Sequence, residues 1–425
     1  MKIRKILIDN FKSFNKTEIE FGNVNLIIGA NAAGKSNFIQ IFELLKLIKN
    51  KGIQKAVSEM GDIDALKNFN SDKRNFEIKI EIEINEEVNR EEISETTFIA
   101  RRRDKILYEI EFIIKGDNKF QIREDLKFIE FLAEFVNNNE VKRLTTNFEY
   151  GVKNKFGKFE TYPNELKFNT TTLSSGELFK PNIENPFHRK FIEELNKSYS
   201  EKSVLEYPGV FIPRELFDFG VFNFNPNLAK LPNKERGEIE LQKDASNLTR
   251  LIYIILKDEI NKEQFNADVS AILTFIENVE VKQIEGILYL KIKETISKTK
   301  TDGQLLSDGT INIISFIVAL YNQNNSTIFI EEPEKGIHPS LISDLVNKFY
   351  DVAKYKNKQI FFTSHNEEIL KNIYHETELK DIFLINRNEK GFSIIEKPET
   401  KKMVKAFLKN DMGIDELFIN NLLDE

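Results

Sequence analysis

The chain has 425 residues, of which 40% are hydrophobic and 30% are charged, and its formal net charge is −7. This balance favours a protein with a buried core and argues against a surface that attracts polyanions over its whole area. The absence of cysteine excludes disulfides, thiol chemistry and cysteine-based zinc sites. The N-terminus lacks the apolar run of a signal peptide, and no apolar run reaches membrane-spanning length. We therefore expect a cytoplasmic protein with no membrane partner.

The first part of the chain predicts strands and one long helix. Alternating or continuous apolar runs predict strands at residues 1–8, 17–21, 24–28, 76–84 and 106–114. Residues 37–58 have the apolar spacing of a helix that Gly52 interrupts. The acidic stretch 86–95 is expected to form a solvated turn between two strands.

The remainder of the chain predicts alternating helices and strands after an irregular middle region. That region has loop-like patterns at 137–139, 151–157 and 299–308, and a helical pattern at 185–205. Predicted elements follow, in chain order, as a helix at 248–256, strand-like alternation at 279–292, a helix at 311–321, a strand at 326–330, a helix at 341–353, a strand at 359–363 and a helix at 366–374. The alternation after residue 310 is typical of an α/β fold with a parallel sheet.

The most informative motif follows the apolar run at 24–28. Residues 29–36 read Gly-Ala-Asn-Ala-Ala-Gly-Lys-Ser, the G-x-x-x-x-G-K-S pattern of a phosphate-binding loop, and a predicted helix follows. In this context backbone N–H groups surround phosphate oxygens, Lys35 reaches the β- and γ-phosphates, and Ser36 binds Mg²⁺. The candidate nucleotide-binding residues of this loop are Asn31, Gly34, Lys35, Ser36 and Asn37. A glycine-rich turn with a solvated lysine is the disfavoured alternative.

Carboxylates follow the predicted strand at 326–330. In such sheets ligands bind where the strands end, so Glu331 is expected to coordinate Mg²⁺ and Glu332 to polarise the attacking water. ATP hydrolysis needs this division of labour, with one acid for the metal and one for the nucleophile. An acidic, solvated turn is the alternative, and the presence of a phosphate loop makes it the less favoured one.

A histidine follows the next predicted strand in the same way. The chain has only four histidines, and His365 comes directly after the apolar run 359–363. A histidine at this strand end can sense the γ-phosphate and help to place the water molecule. The alternative is a bystander histidine beside a Ser364 that caps the following helix.

A serine-led turn precedes the predicted helix at 311–321. Ser307, Asp308 and Gly309 lie at the start of this helix, where a hydroxyl and backbone N–H groups can bind an anion. An ordinary helix cap is the alternative. The string Leu173–Glu177 (Leu-Ser-Ser-Gly-Glu) has a similar pattern but lies far upstream of the acidic strand end, and we interpret it as a surface turn.

These motifs together resemble those of the RecF/SMC branch of ABC-type ATPases. The resemblance is closest to the short prokaryotic "AAA family" ATPases related to the OLD-type and AriA-type proteins of phage defence. The matching segments are the first strand and turn (6–14), Walker A (29–36), the signature (306–310), Walker B (330–334), the D-loop (336–339) and the switch histidine (363–366). In this sequence the metal-binding acid is Glu331 where many ABC proteins have aspartate, and no glutamine can be assigned to the Q-loop.

The resemblance implies an α/β fold, namely an ABC-type P-loop ATPase head with a mixed sheet, a β-rich lobe and a helical insertion. Residues 1–75 and 301–425 would form the head, and residues 76–300 the lobe and insertion. Two heads would face each other as a homodimer or higher homo-oligomer, with ATP and Mg²⁺ between them. Ser307, Asp308 and Gly309 of one copy would contact the γ-phosphate that is bound by the other.

The resemblance further implies a sensor or switch ATPase that controls a separately encoded effector, a nuclease or toxin, in anti-phage defence. The chain ends soon after His365, so we expect no TOPRIM nuclease domain within it. The alternative is a RecF-like ATPase that binds DNA in repair or recombination, for which residues 101–105 form the best basic patch. A solvated hairpin edge explains the same patch, and a scaffold that binds ATP without hydrolysing it is a third possibility.

Overall fold

A computed structural model gives the fold of part of the chain. It describes residues 1–92, 94, 96–116, 118–143, 148–156, 158–162, 202–207, 213, 216–296, 299–321, 326–377, 379–409 and 413–419. Most of the predicted helix at 185–205, and all of the Leu173–Glu177 string, lie outside these residues.

The described residues form strands and α-helices, with mainly strands before residue 163 and interspersed helices and strands after residue 218. The strands are β1 (Lys2–Asp9), β2 (Thr17–Glu20), β3 (Val24–Ile28), β4 (Asn75–Glu92), β5 (Thr97–Gly116), β6 (Lys119–Val136), β7 (Asn139–Arg143), β8 (Phe148–Lys155), β9 (Lys158–Tyr162), β10 (Phe219–Phe222), β11 (Asn233–Lys234), β12 (Ile276–Ile284), β13 (Ile287–Glu294), β14 (Lys300–Asp302), β15 (Thr327–Glu331), β16 (Gln359–Ser364), β17 (Ile382–Arg387) and β18 (Ser393–Glu396). The α-helices are α1 (Lys35–Lys51), α2 (Ile53–Glu59), α3 (Asp62–Leu66), α4 (Pro226–Ala229), α5 (Leu248–Ile255), α6 (Glu259–Ile272), α7 (Asp308–Tyr321), α8 (Ile342–Tyr355), α9 (Glu367–Thr377), α10 (Lys402–Lys409) and α11 (Ile414–Ile419).

The chain divides into two compact units that each use several segments. The first unit contains Met1–Phe21, Gln40–Phe217 and Arg387–Ile394. The second contains Gly22–Ile39, Asp218–Asn386 and Ile395–Glu425.

An antiparallel sheet dominates the first unit. Its strand order is β2-β1-β4-β5-β6-β8-β9, with β7 paired to β6. Side chains alternate between the two faces, so Phe76, Ile78 and Ile80 are buried on one side. On the other side Lys79 forms an ion pair of 3.1 Å with Glu109 of the neighbouring strand. The alternating sequence of β4 thus produces one apolar and one charged face.

A parallel sheet forms the centre of the second unit, in the strand order β10-β15-β16-β3-β17-β18. The pairs β10–β15, β15–β16, β16–β3 and β3–β17 are parallel. Strands β3 and β16 are buried at every position, because helices and loops cover both faces of such a sheet. A smaller sheet has the order β11-β13-β12, with β14 paired to β13.

Aromatic side chains pack on the strands that carry the candidate site. Phe329 of β15 stacks on Phe361 of β16 with ring centroids 4.6 Å apart. Phe362 of β16 stacks on Phe349 of α8 at 4.5 Å. Both faces of β16 are therefore held by stacked rings, which add to the stabilisation from apolar burial.

The predicted strands and helices of both ends of the chain are confirmed, and the break at Gly52 separates α1 from α2. Its φ of +83° lies in the region that favours glycine. Within the described ranges, every helix falls short of the length and apolar character needed to cross a bilayer.

Three loop predictions are wrong. Strand β4 continues through the acidic stretch to Glu92, since Glu87 pairs with Arg102 of β5 at 3.5 Å. Strand β8 extends through the predicted loop at 151–157 as far as Lys155, and Val152 is buried in its sheet. The polar stretch 299–308 contains strand β14 and a 3-10 helix, and helix α7 begins at Asp308. In the first and third cases cross-strand pairing of charged side chains overrides their preference for a solvated turn.

The lysine before β16 gives a test of the core of the second unit. Lys358 is only 6% exposed, and burial, with a smaller effect from the charge of Lys356, lowers the pKa of its ammonium from 10.5 to about 8. Between pH 8 and 10.5 the unfolded chain binds a proton that the folded chain has lost, so stability rises with pH there. Below pH 8 the folded chain bears the full cost of burying the charge.

We expect Lys358→Met to raise the free energy of unfolding at pH 7 by roughly 1–3 kcal/mol, because one pKa unit corresponds to about 1.4 kcal/mol. The advantage of the variant should shrink as the pH rises to 10. Urea unfolding at both pH values measures the difference. Lys354→Met, at an exposed position near the end of α8, is the control. A difference between Lys358→Met and the parent that stays constant with pH would contradict the prediction.

Candidate ATPase site

The phosphate loop lies in the second unit and joins β3 to the start of α1. At Gly29 an added Cβ would lie 2.1 Å from the carbonyl oxygen of Ile385, so only glycine fits. Gly34 has a φ of +120°, which lets the loop turn into the helix that begins at Lys35. Asn31 lies exposed on the loop and Asn37 is half-buried in the first turn of α1. Gly29 therefore allows the loop backbone to approach Ile385 closely, and Gly34 allows the turn into α1.

The side chain of Lys35 folds back onto its own loop. Its Nζ donates hydrogen bonds to the carbonyl oxygens of Gly29 at 2.8 Å and Ala30 at 3.0 Å, and the residue is 8% exposed. Burial lowers the pKa of Lys35, since water no longer solvates its charge. This ammonium is held at the centre of the loop, where phosphate oxygens can compete with the carbonyls for its protons.

Three glutamates oppose the effect of burial on Lys35. The negative charges of Glu332, Glu334 and Glu331, in decreasing order of effect, raise the pKa of its ammonium. Glu331 ends β15 and the other two glutamates follow it, so the carboxylates at this strand end are close enough to interact with the charge of Lys35. The site thus joins one buried cation to a group of carboxylates that follow a neighbouring strand.

A direct hydrogen bond links the loop to the acidic strand end. Ser36 Oγ donates to Oε2 of Glu331 at 2.7 Å. This contact follows from the sheet register, in which Glu331 lies beside Thr363 of β16 and Ser364 lies beside Ile28 of β3. Three parallel strands therefore end at one edge of the sheet, and the polar residues that follow them meet there.

The hydroxyl of Ser36 and the carboxylate of Glu331 match the ligand preference of Mg²⁺ for oxygen atoms. No set of three or more His, Cys, Asp or Glu residues that could hold a metal occurs in the part of the chain that the structure describes. Mg²⁺ in phosphate sites ordinarily takes one or two protein oxygens, with phosphate and water completing its shell. The donor set fits that ion in the presence of a triphosphate.

The carboxylate of Glu332 contacts the histidine that follows the adjacent strand. His365 Nδ1 lies 3.1 Å from Oε1 of Glu332, and both side chains are partly exposed, at 51% and 33%. The backbone N–H of Glu332 donates to the carbonyl oxygen of Thr363 at 3.1 Å, although its φ of +46° is unfavourable for a residue with a side chain. Thr363 of β16 thus holds the backbone of Glu332, and His365 after β16 contacts its carboxylate, while the carboxylate stays accessible to water.

A buried acid that the sequence analysis gave no role lies behind this pair. Glu334 is 6% exposed, and its Oε1 accepts a hydrogen bond of 2.5 Å from Ser364 Oγ. Within the described residues its Oε2 has no hydrogen-bond partner. Burial raises the pKa of this carboxyl, and the Ser364 hydroxyl opposes the rise. The sequence shows Glu334 as one more glutamate after the apolar run at 326–330. Its burial could not be predicted, because that depends on the geometry of the turn after β15.

The residues of the predicted signature form a second group. Ser307 Oγ lies 2.8 Å from Thr310 Oγ1 and accepts a hydrogen bond of 3.2 Å from the Thr310 N–H, so it caps α7. Asp308 forms an ion pair of 2.6 Å with Lys230. At Gly309 an added Cβ would lie 2.3 Å from the carbonyl oxygen of Gly336. The serine-led turn therefore packs against the turn that follows the acidic strand end.

The structure brings together five of the predicted site residues by contact or charge. These residues are Lys35, Ser36, Glu331, Glu332 and His365. The signature residues instead contact Thr310, Lys230 and Gly336. Lys230 gave no signal in the sequence, because it is far from Asp308 along the chain.

The predicted basic patch at 101–105 lies on β5 and is ion-paired. Arg102 lies 3.5 Å from Glu87, Arg103 lies 3.0 Å from Glu130, and Lys105 lies 2.5 Å from Glu81. Counterions within the same sheet reduce the attraction of this patch for nucleic-acid phosphates.

Comparison with known proteins agrees with this site. Residues 1–370 match the family described as AAA ATPase domain. The chain is 24% identical to an ATP/GTP phosphatase of Helicobacter pylori over 89% of this chain and 91% of that protein. It is 23% identical to the endonuclease GajA of Bacillus cereus over 87% of this chain, and it spans only 56% of that protein.

Among solved structures, the SMC head domain of Thermotoga maritima aligns over 93% of this chain and 99% of that chain, with 12% identity and a TM-score of 0.43. The family match covers most of the chain, and the loop, the acids and the histidine predicted for ATP hydrolysis lie together in the structure. The predicted α/β fold and the predicted ATPase identity are confirmed, and the chain belongs to the AAA ATPase domain family.

Proposed function

We propose that this ATPase is a switch in which two copies of the chain close on ATP, hydrolyse it and separate. The observation that carries the proposal is the meeting of Lys35, the Ser36–Glu331 pair and the Glu332–His365 pair at one edge of the parallel sheet. In this arrangement Asn31, Gly34 and Asn37 line the phosphate loop with Lys35 and Ser36. Mg²⁺, when bound by Ser36 and Glu331, would neutralise charge on the β- and γ-phosphates.

Glu332 acts as the base of the hydrolysis step. Its partly exposed carboxylate accepts a proton from water while the water oxygen bonds to the γ-phosphorus and the bond to the leaving ADP oxygen breaks. His365 orients that carboxylate through its Nδ1 contact, and we expect it to sense the γ-phosphate. Lys35 stabilises the negative charge that develops on the phosphate oxygens.

The second group of residues supports a composite site. Ser307, Asp308 and Gly309 lie at the N-terminus of α7, a position that favours anions, yet their contacts are with Thr310, Lys230 and Gly336. We propose that the Ser307 hydroxyl and the backbone N–H groups of Asp308 and Gly309 meet the γ-phosphate bound by a second copy, so that each ATP joins two subunits. The head would comprise residues 1–75 and 301–425, with 76–300 as a lobe and insertion.

The biological role that we propose is control of a separately encoded effector in anti-phage defence. The resemblance to defence ATPases supports it, and so does the similarity to an endonuclease over most of this chain. A switch of this kind needs a partner that distinguishes the ATP-closed dimer from the separated subunits.

Glu332→Gln should lower phosphate release at least about 100-fold, because general-base catalysis contributes roughly that factor or more. Nucleotide binding should persist, since the phosphate loop is unchanged. Phosphate release and the affinity for a fluorescent ATP analogue measure the two effects. Glu263→Gln, at an exposed position of α6, is the control and should match the parent. Equal phosphate release by Glu332→Gln and the parent would exclude Glu332 as the base.

Mixed dimers test the composite site. Lys35→Met and Ser307→Arg should each be inactive alone, and an equal mixture should recover about a quarter of the parent rate, because half of the dimers then contain one intact site of two. ATPase assays on refolded or coexpressed mixtures measure the recovery. A mixture of Lys35→Met with Glu332→Gln is the matched control, since both changes affect the same half-site and no intact site can form. Failure of the first mixture to exceed the control would show that each site is complete within one chain.

Copurification from the native locus tests the link to an effector. We expect a neighbouring gene product to elute with tagged Glu332→Gln chain in the presence of ATP, and to dissociate when ATP is replaced by ADP. Lys35→Met, which should not close on ATP, is the control. An effector that binds all three samples equally, or a locus without any candidate effector, would count against the proposed role.

A further inference from the structure

The serine-led turn carries a charge that opposes its proposed ligand. Asp308 lies in the first turn of α7, and its side chain is 58% exposed. A helix N-terminus attracts anions, but a carboxylate there contributes a negative charge of its own. A nucleoside triphosphate is strongly negative, so an uncompensated Asp308 would repel a phosphate that approaches this turn.

Lys230, which directly follows the short helix α4, provides the compensating positive charge. Its Nζ donates to Oδ1 of Asp308 at 2.6 Å, and its side chain is 15% exposed. The short helix α4 positions it, with Asn225 Oδ1 accepting the N–H of Asn227 at 3.1 Å and Ala229 fully buried. The backbone N–H of Lys230 donates to Pro226 at 3.1 Å. The backbone of Lys230 is therefore fixed by α4, and its largely buried side chain places the ammonium in the ion pair with Asp308.

We propose that Lys230 is a positioning residue that neutralises Asp308, so that the signature turn of one copy can approach the triphosphate bound by another. This inference rests on the proposed function, in which ATP draws two copies together. Lys230 acts through Asp308 and not by direct contact with the phosphate. Loss of the ammonium leaves a lone carboxylate facing the nucleotide, whereas loss of both charges leaves a neutral turn.

Four variants of the Glu332→Gln chain test the inference, with light scattering used to record dimer formation against ATP concentration. We expect Lys230→Met to raise the ATP concentration for half-maximal dimerisation roughly tenfold, as expected for one nearby repulsive charge. Lys230→Arg should retain the parent value. Asp308→Asn should give a value at or below that of the parent. The double variant Lys230→Met, Asp308→Asn should return to within about threefold of the parent.

Lys293→Met is the matched control, because Lys293 forms an ion pair of the same 2.6 Å length with Glu277 on strands β12 and β13. It should dimerise as the parent does. The affinity of dilute monomer for the ATP analogue should be the same in all variants, since the phosphate loop is unaltered. Thermal unfolding of each variant shows whether it is folded at the assay temperature.

The double variant decides between neutralisation and direct contact. Recovery in the double variant supports the inference. Unaltered dimerisation by Lys230→Met overturns it, and so does an equal defect with and without Asp308→Asn. If the Glu332→Gln parent itself does not dimerise with ATP, the proposed function fails and the inference fails with it. A parent that dimerises beside an unaffected Lys230→Met overturns the inference alone.

Discussion

Backbone pairing between β3, β16 and β15 decides where the functional side chains lie. These parallel strands are buried almost throughout, so hydrogen bonds and packing on both faces fix their register. The register sets Ser364 beside Ile28 and Glu331 beside Thr363. The phosphate loop leaves the first strand, the histidine follows the second and the acids follow the third. A slip of one residue would turn each terminal side chain to the opposite face and separate the groups.

Charge balance around Lys35 follows from that arrangement. Its buried ammonium is unfavourable by itself, and the neighbouring carboxylates offset the cost. For Glu334, burial disfavours the negative charge and raises the pKa of the carboxyl. One of its oxygens has no hydrogen-bond partner among the described residues. At a pH where Glu334 is protonated, the site presents less negative charge to a triphosphate. A buried, incompletely bonded acid beside a phosphate loop is destabilising, and such groups concentrate at functional sites.

The central site was largely predictable from the sequence, since each of its residues follows a buried apolar run and the ends of parallel strands meet. This reasoning needs only local patterns, and it brings Ser36, Glu331 and His365 to one edge. The burial of Glu334 was not predictable, because it depends on the geometry of a turn. Nor was the Lys230–Asp308 pair, since a contact between residues far apart in sequence leaves no local pattern.

The acidic run and the basic patch of the first unit are two halves of one feature. Considered separately, residues 86–95 predict a solvated turn, and residues 101–105 are the best candidate for a nucleic-acid surface. In the structure β4 pairs with β5 so that Glu87 lies opposite Arg102, and their side chains form an ion pair. Opposite charges on adjacent strands stabilise the extended hairpin and neutralise each other. Attraction of this hairpin for a polyanion is weakened by the same pairing that lengthens the strands.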